Sequence, residues 1–338
     1  MAWTLERDDL DALELGLALL GGGGGGETEV FGRLLRANTE LPIELVDVGE
    51  LDPGLSCLAV GIVGSTILLG ERLPADDAAD AAIEAVERWL GAPAAAMCGV
   101  EHAGLNGLIV PAFAGARHAV DADLMGRALP RIDQFSLYLD DVPDLVLALA
   151  TGSGGVAMLD GARPADAEVV VRQAILSAGG WAVLVVGGFR VGDLAVHGLG
   201  GTLARALRLG RALERHGPRP AAVEGEGRWL GTARIVAIDV HPAAAAIVDV
   251  QLRGPDGDVV RLVGASEFNA CFWNGARVAG GADIVAVIDV WRGRPLQLPA
   301  LRVGQVVALV AIDAHPWWRA AAHRVERAGL DALEAVAP

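Results

Sequence analysis

The chain reads as an α/β N-terminal domain with a partly parallel sheet, followed by a mainly β (α+β) C-terminal domain. Three observations predict this. In the first half, short apolar runs alternate with stretches of helical periodicity, the pattern of strand–helix–strand units. From about Arg228 onward, short apolar runs follow one another with only turn residues between them. The chain has 338 residues, 53% hydrophobic, with mean hydropathy +0.42, enough to fill two cores. The expected division is 1–163 for the α/β domain, which carries a glycine-rich loop and the candidate site, and 164–338 for the α+β domain.

Taken in order, Asp8 or Asp9 can cap a first helix whose apolar side is Leu10, Leu13, Leu17 and Leu20. Six consecutive glycines, Gly21 to Gly26, end it. Each would cost about 1 kcal/mol inside a helix, so the run marks a place where backbone turns and approaches a ligand or another backbone. A second helix is expected from Thr28, carrying Val30, Phe31, Leu34 and Leu35. Ile43–Val46 and Leu58–Val63 read as strands, Ala78–Leu90 as a helix, Ala94–Met97 and His118–Val120 as strands. Asn106–Ala116 is ambiguous, because Pro111 and Gly115 interrupt a helix. A hairpin is expected over 143–160 with its turn at 151–155, then a helix over 166–178 and a strand over 181–186. Gly200-Gly201-Thr202 opens a helix reaching His216, and 218–227 reads as a loop. The β-rich part follows, with runs at 232–240, 246–252, 259–263, 283–289 and 305–312, and a helical period from Trp317 to Val336 closes the chain.

Composition excludes several functions. The net charge is −16, the wrong sign for nucleic acid or an anionic membrane surface. All 27 basic residues are Arg. Schiff-base lysines and the P-loop lysine are therefore ruled out. Cys57, Cys98 and Cys271 are widely spaced with no CxxC, which fits a reducing compartment. The acidic N-terminus is unlike a secretion signal, and the longest apolar stretch is short and broken by glycine. A cytoplasmic protein is expected, self-associating as a homo-oligomer. Gly21, Gly23 and Gly26 form a literal GxGxxG, but it follows a helix rather than a strand, so no nucleotide cofactor is expected.

Two strand ends carry polar clusters: Glu101, His102 and Asn106 after one, Asp121, Asp123 and Arg127 at the next. Chemistry in such sheets gathers beyond the carboxyl ends of parallel strands. Asp121 and Asp123, two apart on a strand, share a face, and one carboxylate near another becomes an acid or base. Asp121, Asp123 and Glu101 are the candidate catalytic residues. Gly23, Gly24, Gly25 and Gly26, with Asn106 and Arg127, are the candidate substrate-binding set, the glycines as an amide cradle and Arg127 as a carboxylate clamp. A divalent metal stays open, with Asp121, Asp123, Glu101 and His102 as its ligands. Each has a structural alternative: a capped turn for the aspartates, an ion pair to Asp133 or Glu101 for Arg127, a hydrogen-bonding role for His102, and packing for Cys98 and Trp317-Trp318.

Several strings read together resemble the S-methyl thiohydantoin desulfurase-like family, which is associated with hydantoin utilisation. They are the leucine-rich helix running into Gly21–Gly26, Val60-Gly-Ile-Val-Gly64, Glu101-His-Ala-Gly-Leu-Asn106 and, most specific, Val120-Asp-Ala-Asp-Leu-Met-Gly-Arg-Ala-Leu-Pro130. Asp283-Ile-Val-Ala-Val, Val303-Gly-Gln-Val and Pro316-Trp-Trp-Arg319 extend the likeness into the second half. The family's Asn-Glu pair is Ser266-Glu267 here, its Gly-Gly-Phe turn is replaced around 241–245, and its closing string has become Arg327-Ala-Gly-Leu330. The resemblance implies a two-domain enzyme that hydrolytically removes a thiol from a thiohydantoin-type ring to leave a hydantoin. The alternative is a non-catalytic subunit that binds a small cyclic amide or serves a hydantoinase-type system.

Overall fold

The computed structural model describes residues 1–71, 78–151, 155–221, 226–241 and 247–330. The hairpin turn expected at 152–154, the replaced stretch at 242–245 and the end of the last expected helix, 331–336, lie outside them. The chain forms two compact units: 1–10, 28–126 and 130–204 in the first, 11–27, 127–129 and 205–338 in the second.

The first unit holds strands β1 (Trp3–Leu5), β2 (Ile43–Leu45), β3 (Ser56–Gly64), β4 (Ala96–Gly99), β5 (His118–Asp123), β6 (Val146–Thr151), β7 (Val156–Asp160), β8 (Trp181–Arg190) and β9 (Leu199–Gly200). Strands β1 and β2 pair with each other. The other seven make a mixed sheet in the order β7-β6-β8-β3-β4-β5-β9. Strands β3, β4 and β5 run parallel, and β8, β6, β7 and β9 join antiparallel. The partly parallel sheet expected from the alternating pattern is therefore present. Its parallel strands are mostly apolar, as in Leu58, Val60, Met97 and Val120, because both faces of such a strand are covered, and the exceptions Asp121 and Asp123 lie at the carboxyl end of β5. The helix Ala78–Leu90 buries Ala79, Ala82, Ile83 and Val86, the 3.6-residue stripe of its sequence. Leu90, on the same stripe, is 43% exposed because it sits in the last turn.

The second unit holds β10 (Gly227–His241), β11 (Ile247–Arg253), β12 (Val259–Gly264), β13 (Phe268–Trp273), β14 (Ala276–Gly280), β15 (Ile284–Asp289) and β16 (Val306–Ile312). These form one antiparallel sheet, ordered β14-β13-β12-β11-β10-β16-β15. Ile235, Leu252, Leu262, Phe268, Val287 and Leu309 are in its core. Strands β13 and β14 have no counterpart in the sequence reading. Their turn, Asn274-Gly275, is a hairpin signal that the sequence did offer.

Two helices of the second unit touch backbone to backbone. Leu10–Leu20 buries Leu13, Leu17 and Leu20. A Cβ on Gly210 of Thr202–His216 would lie 1.6 Å from the Ala12 carbonyl oxygen. The expected loop after His216 begins with a short helix, Pro218–Ala221. The closing helix breaks in two, Pro316–Ala320 and Ala322–Arg327, where Ala321 turns extended (φ −148°, ψ 121°). No helix among the described residues is long and apolar enough to cross a membrane.

Candidate functional site

The parallel strands β4 and β5 end in the polar residues singled out by sequence. All of Glu101, His102, Asn106, Asp121 and Asp123 are buried in the first unit. Asn106 is locked by the backbone of β3: Ile62 N donates to its Oδ1 (2.6 Å) and its Nδ2 donates to Ile62 O (2.9 Å). The same Nδ2 donates to Glu101 Oε1 at 3.0 Å. A rigid amide thus aims one carboxyl oxygen of Glu101.

Asp121 is bound on both oxygens. Leu203 N donates to Oδ1 (2.7 Å), while Ala204 N (3.1 Å) and Trp3 Nε1 (2.8 Å) donate to Oδ2. It therefore does for the first turn of the helix Thr202–His216 what an N-cap side chain would do. Burial raises its pKa, and these donors oppose the rise.

Asp123 shapes the loop after β5: Met125 N and Gly126 N donate to Oδ1 at 3.1 and 2.7 Å. Its Oδ2 takes a short hydrogen bond from His102 N. Complete burial pushes its pKa up to about 7 against the pull of those three donors. The two aspartates share a strand but not a hydrogen-bond partner, and after burial the charge of Asp121 is among the causes that raise the Asp123 pKa.

His102 is neutral, since burial lowers its pKa to about 3. Its Nδ1 lies 2.9 Å from Thr202 Oγ1, and its Nε2 has no hydrogen-bond partner among the described residues. Cys98 is fully buried and burial holds its thiol well up, away from a nucleophilic thiolate.

No group of three or more His, Cys, Asp or Glu among the described residues is arranged to hold a metal ion. The reason lies in the donor set proposed from sequence. The oxygens of Asp121 and Asp123 already accept backbone N–H groups, and His102 Nδ1 is against Thr202.

Gly23–Gly26 and Arg127 belong to the second unit. There the glycine run packs on protein rather than cradling an anion. Gly24 N and Gly25 N donate to Gly21 O at 2.8 and 3.2 Å, and Gly26 N donates to Gln297 Oε1 at 3.2 Å. Gly22 O and Gly23 O accept from Phe268 N (2.7 Å) and Leu298 N (2.8 Å). Gly23 has φ +84°, and a Cβ there would sit 2.4 Å from the Phe268 ring. The close neighbour of the run is thus the backbone of 266–268, and the amides of Gly24, Gly25 and Gly26 are already used.

Arg127 is fully buried. Its Nη1 donates to the carbonyls of Gly281 (2.8 Å), Ala282 (3.0 Å) and Asp283 (3.2 Å), which lead into β15. Asp133, its alternative partner from sequence, pairs with Arg131 instead.

Sequence reasoning noted Glu267 only within the Ser266-Glu267 string and passed over Asn269; Glu267 immediately precedes β13 and Asn269 lies in it. Both are buried, and Asn269 Nδ2 donates to Glu267 Oε1 at 3.0 Å. Glu267 Oε2 and Asn269 Oδ1 have no hydrogen-bond partner among the described residues. The signal was available: two polar residues at i and i+2 beside Phe268 and Ala270 put both on one side of a strand.

The comparisons agree with this architecture. The model of the S-Me-THD-like N-terminal domain matches residues 8–161, and that of the S-Me-THD-like C-terminal domain matches residues 162–334. A crystal structure of a protein from Chromobacterium violaceum is 20% identical with a TM-score of 0.75, and the match covers 99% of this chain and 98% of that one. At that identity the likeness is one of fold. No curated protein matches the chain.

Proposed function

The chain belongs to the S-Me-THD-like family over both of its halves, and from that premise we propose that it is a hydrolase acting on a thiohydantoin-type ring. The reaction is attack of water on the amidine-like ring carbon that bears the sulfur. A C–O bond forms and the C–S bond breaks. Of the two water protons, one ends on the departing thiol and one on the ring nitrogen, leaving a hydantoin. The step needs a base for the water and a donor for the leaving group.

The observation that carries this reading is Glu101, a buried carboxylate at the carboxyl end of a parallel strand, aimed by an amide that is itself pinned to the backbone. Such strand ends are where open α/β sheets place ligands. We assign Glu101 the acid–base role. Asn106 orients it. Asp123 holds the adjoining His102 backbone, and Asp121 anchors the helix that supplies Thr202.

The filled oxygens of Asp121 and Asp123 favour a second reading, a non-catalytic subunit that binds a small cyclic amide. One experiment separates the two. The purified chain is incubated with an S-methyl thiohydantoin and free thiol is followed. Catalytic release with hydantoin as the product supports the hydrolase. Stoichiometric binding without release supports the subunit.

A further inference from the structure

We propose that Glu267 and Asn269 form a recognition edge in the second unit for the cis-amide (N–H beside C=O) of a small neutral ring. Two side-chain atoms of one hydrogen-bonded pair have no hydrogen-bond partner among the described residues. Asn269 spends an amide proton on Glu267 Oε1, which leaves its Oδ1 to accept. The second carboxyl oxygen, Oε2, is also without a partner. Leaving a buried polar atom unpaired costs about 1–3 kcal/mol, so two on side chains joined by a hydrogen bond call for a further partner group.

The surroundings fit a neutral ligand. Burial favours the protonated form of Glu267, while Arg127 pulls the other way. The Ser266 hydroxyl also favours the charged form but does not reach Oε2 in hydrogen-bonding geometry. In its protonated form Glu267 donates from Oε2 and Asn269 Oδ1 accepts. That is the complement of a lactam or imide edge, whose carbonyl accepts and whose N–H donates. The backbone beneath is fixed: a Cβ on Gly24 would lie 2.9 Å from Glu267 Cβ, so the glycine run lets Glu267 settle at this depth.

The choice of a five-membered ring rests on the proposed reaction, whereas recognition of a cis-amide edge does not. The test is a ligand-observed NMR titration of the full chain with succinimide and with N-methylsuccinimide. Succinimide is expected to bind at least tenfold more tightly than its N-methyl form. Glu267→Gln, which keeps one donor and one acceptor, should bind succinimide within about threefold of wild type. Asn269→Leu should lose at least tenfold. Equal affinity for the two probes, or no binding of either, overturns the proposal, and so does wild-type affinity in Asn269→Leu. Should Asn269→Leu fail to fold, the probe pair and Glu267→Gln still decide. Absence of thiol release with the N–H discrimination intact sinks the reaction and leaves this site standing. Thiol release without the discrimination does the reverse.

Discussion

Two sets of buried polar side chains, one in each unit, look alike by composition and differ in what surrounds them. On β5, Asp121 and Asp123 have both carboxyl oxygens occupied by N–H groups of the chain itself. Glu267, just before β13, and Asn269, on it, are also buried, yet each has one atom with no hydrogen-bond partner among the described residues. Burial raises the carboxyl pKa in both places. A raised pKa therefore does not separate a structural carboxylate from a ligand-facing one here. The state of its second hydrogen-bonding position does. The aspartates of the most family-like string are tied to N–H groups of the chain, while Glu267 Oε2 and Asn269 Oδ1 have no hydrogen-bond partner among the described residues.

The comparison breaks most visibly at Asp121. Asp121→Ala leaves Leu203 N, Ala204 N and Trp3 Nε1 without their acceptor. At about 1 kcal/mol or more for each, the chain should lose roughly 3 kcal/mol, read as a lower urea midpoint at unchanged slope. An unshifted midpoint would show that the three hydrogen bonds carry no weight.

The next effect is in the pH dependence. Asp123, at about 7 in the folded chain against an ordinary 3.8, keeps a proton that the unfolded chain releases, so its contribution is full below pH 4 and is lost as pH rises to 7. His102, at about 3 against 6.5, works oppositely: the unfolded chain protonates first, and stability is lost as pH falls from 6.5 to 3. In the shared window the two slopes offset one another. Asp123→Asn should unmask the acid-side loss, and His102→Gln should leave a chain that weakens toward neutral pH. Each slope amounts to at most roughly 5 kcal/mol across its window. Thermal midpoints between pH 4 and 7 read both, and parallel profiles in the two variants would contradict the assignment.

How much of this was legible in the sequence follows the same division. The helix Ala78–Leu90 and the strand β15 announce themselves, because burial there follows a local period. The polar strand ends were found for the same reason: Glu101 and Asp121 follow apolar runs. Their roles were not, since the partners of Asp121 are Leu203 and Ala204, some 80 residues away, and nothing local encodes that meeting. The glycine run was readable as a close approach, but whether to ligand or to backbone depended on Phe268 and Leu298, far along the chain. Residues 11–27 fold with the second unit although they precede most of the first, another long-range choice. Strand β13 escaped because Phe268-Asn-Ala-Cys-Phe-Trp273 shows no clear alternation, and its one informative break, Asn269, is the residue left unsatisfied.

The smallest expected stability effect sharpens the contrast. Glu267→Gln retains the acceptor for Asn269 Nδ2 but removes the carboxyl that interacts with Arg127, so it should lower the urea midpoint by less than Asp121→Ala does. A loss as large as that of Asp121→Ala would place Glu267 among the residues that hold the fold.

The account is tested most directly by thiol release from an S-methyl thiohydantoin in Glu101→Gln beside the wild type. A general acid–base residue contributes about 100-fold or more to rate, and Gln fits the space and still meets Asn106. Turnover should fall by about that factor with the unfolding transition essentially unmoved. Wild-type turnover in Glu101→Gln would contradict the account.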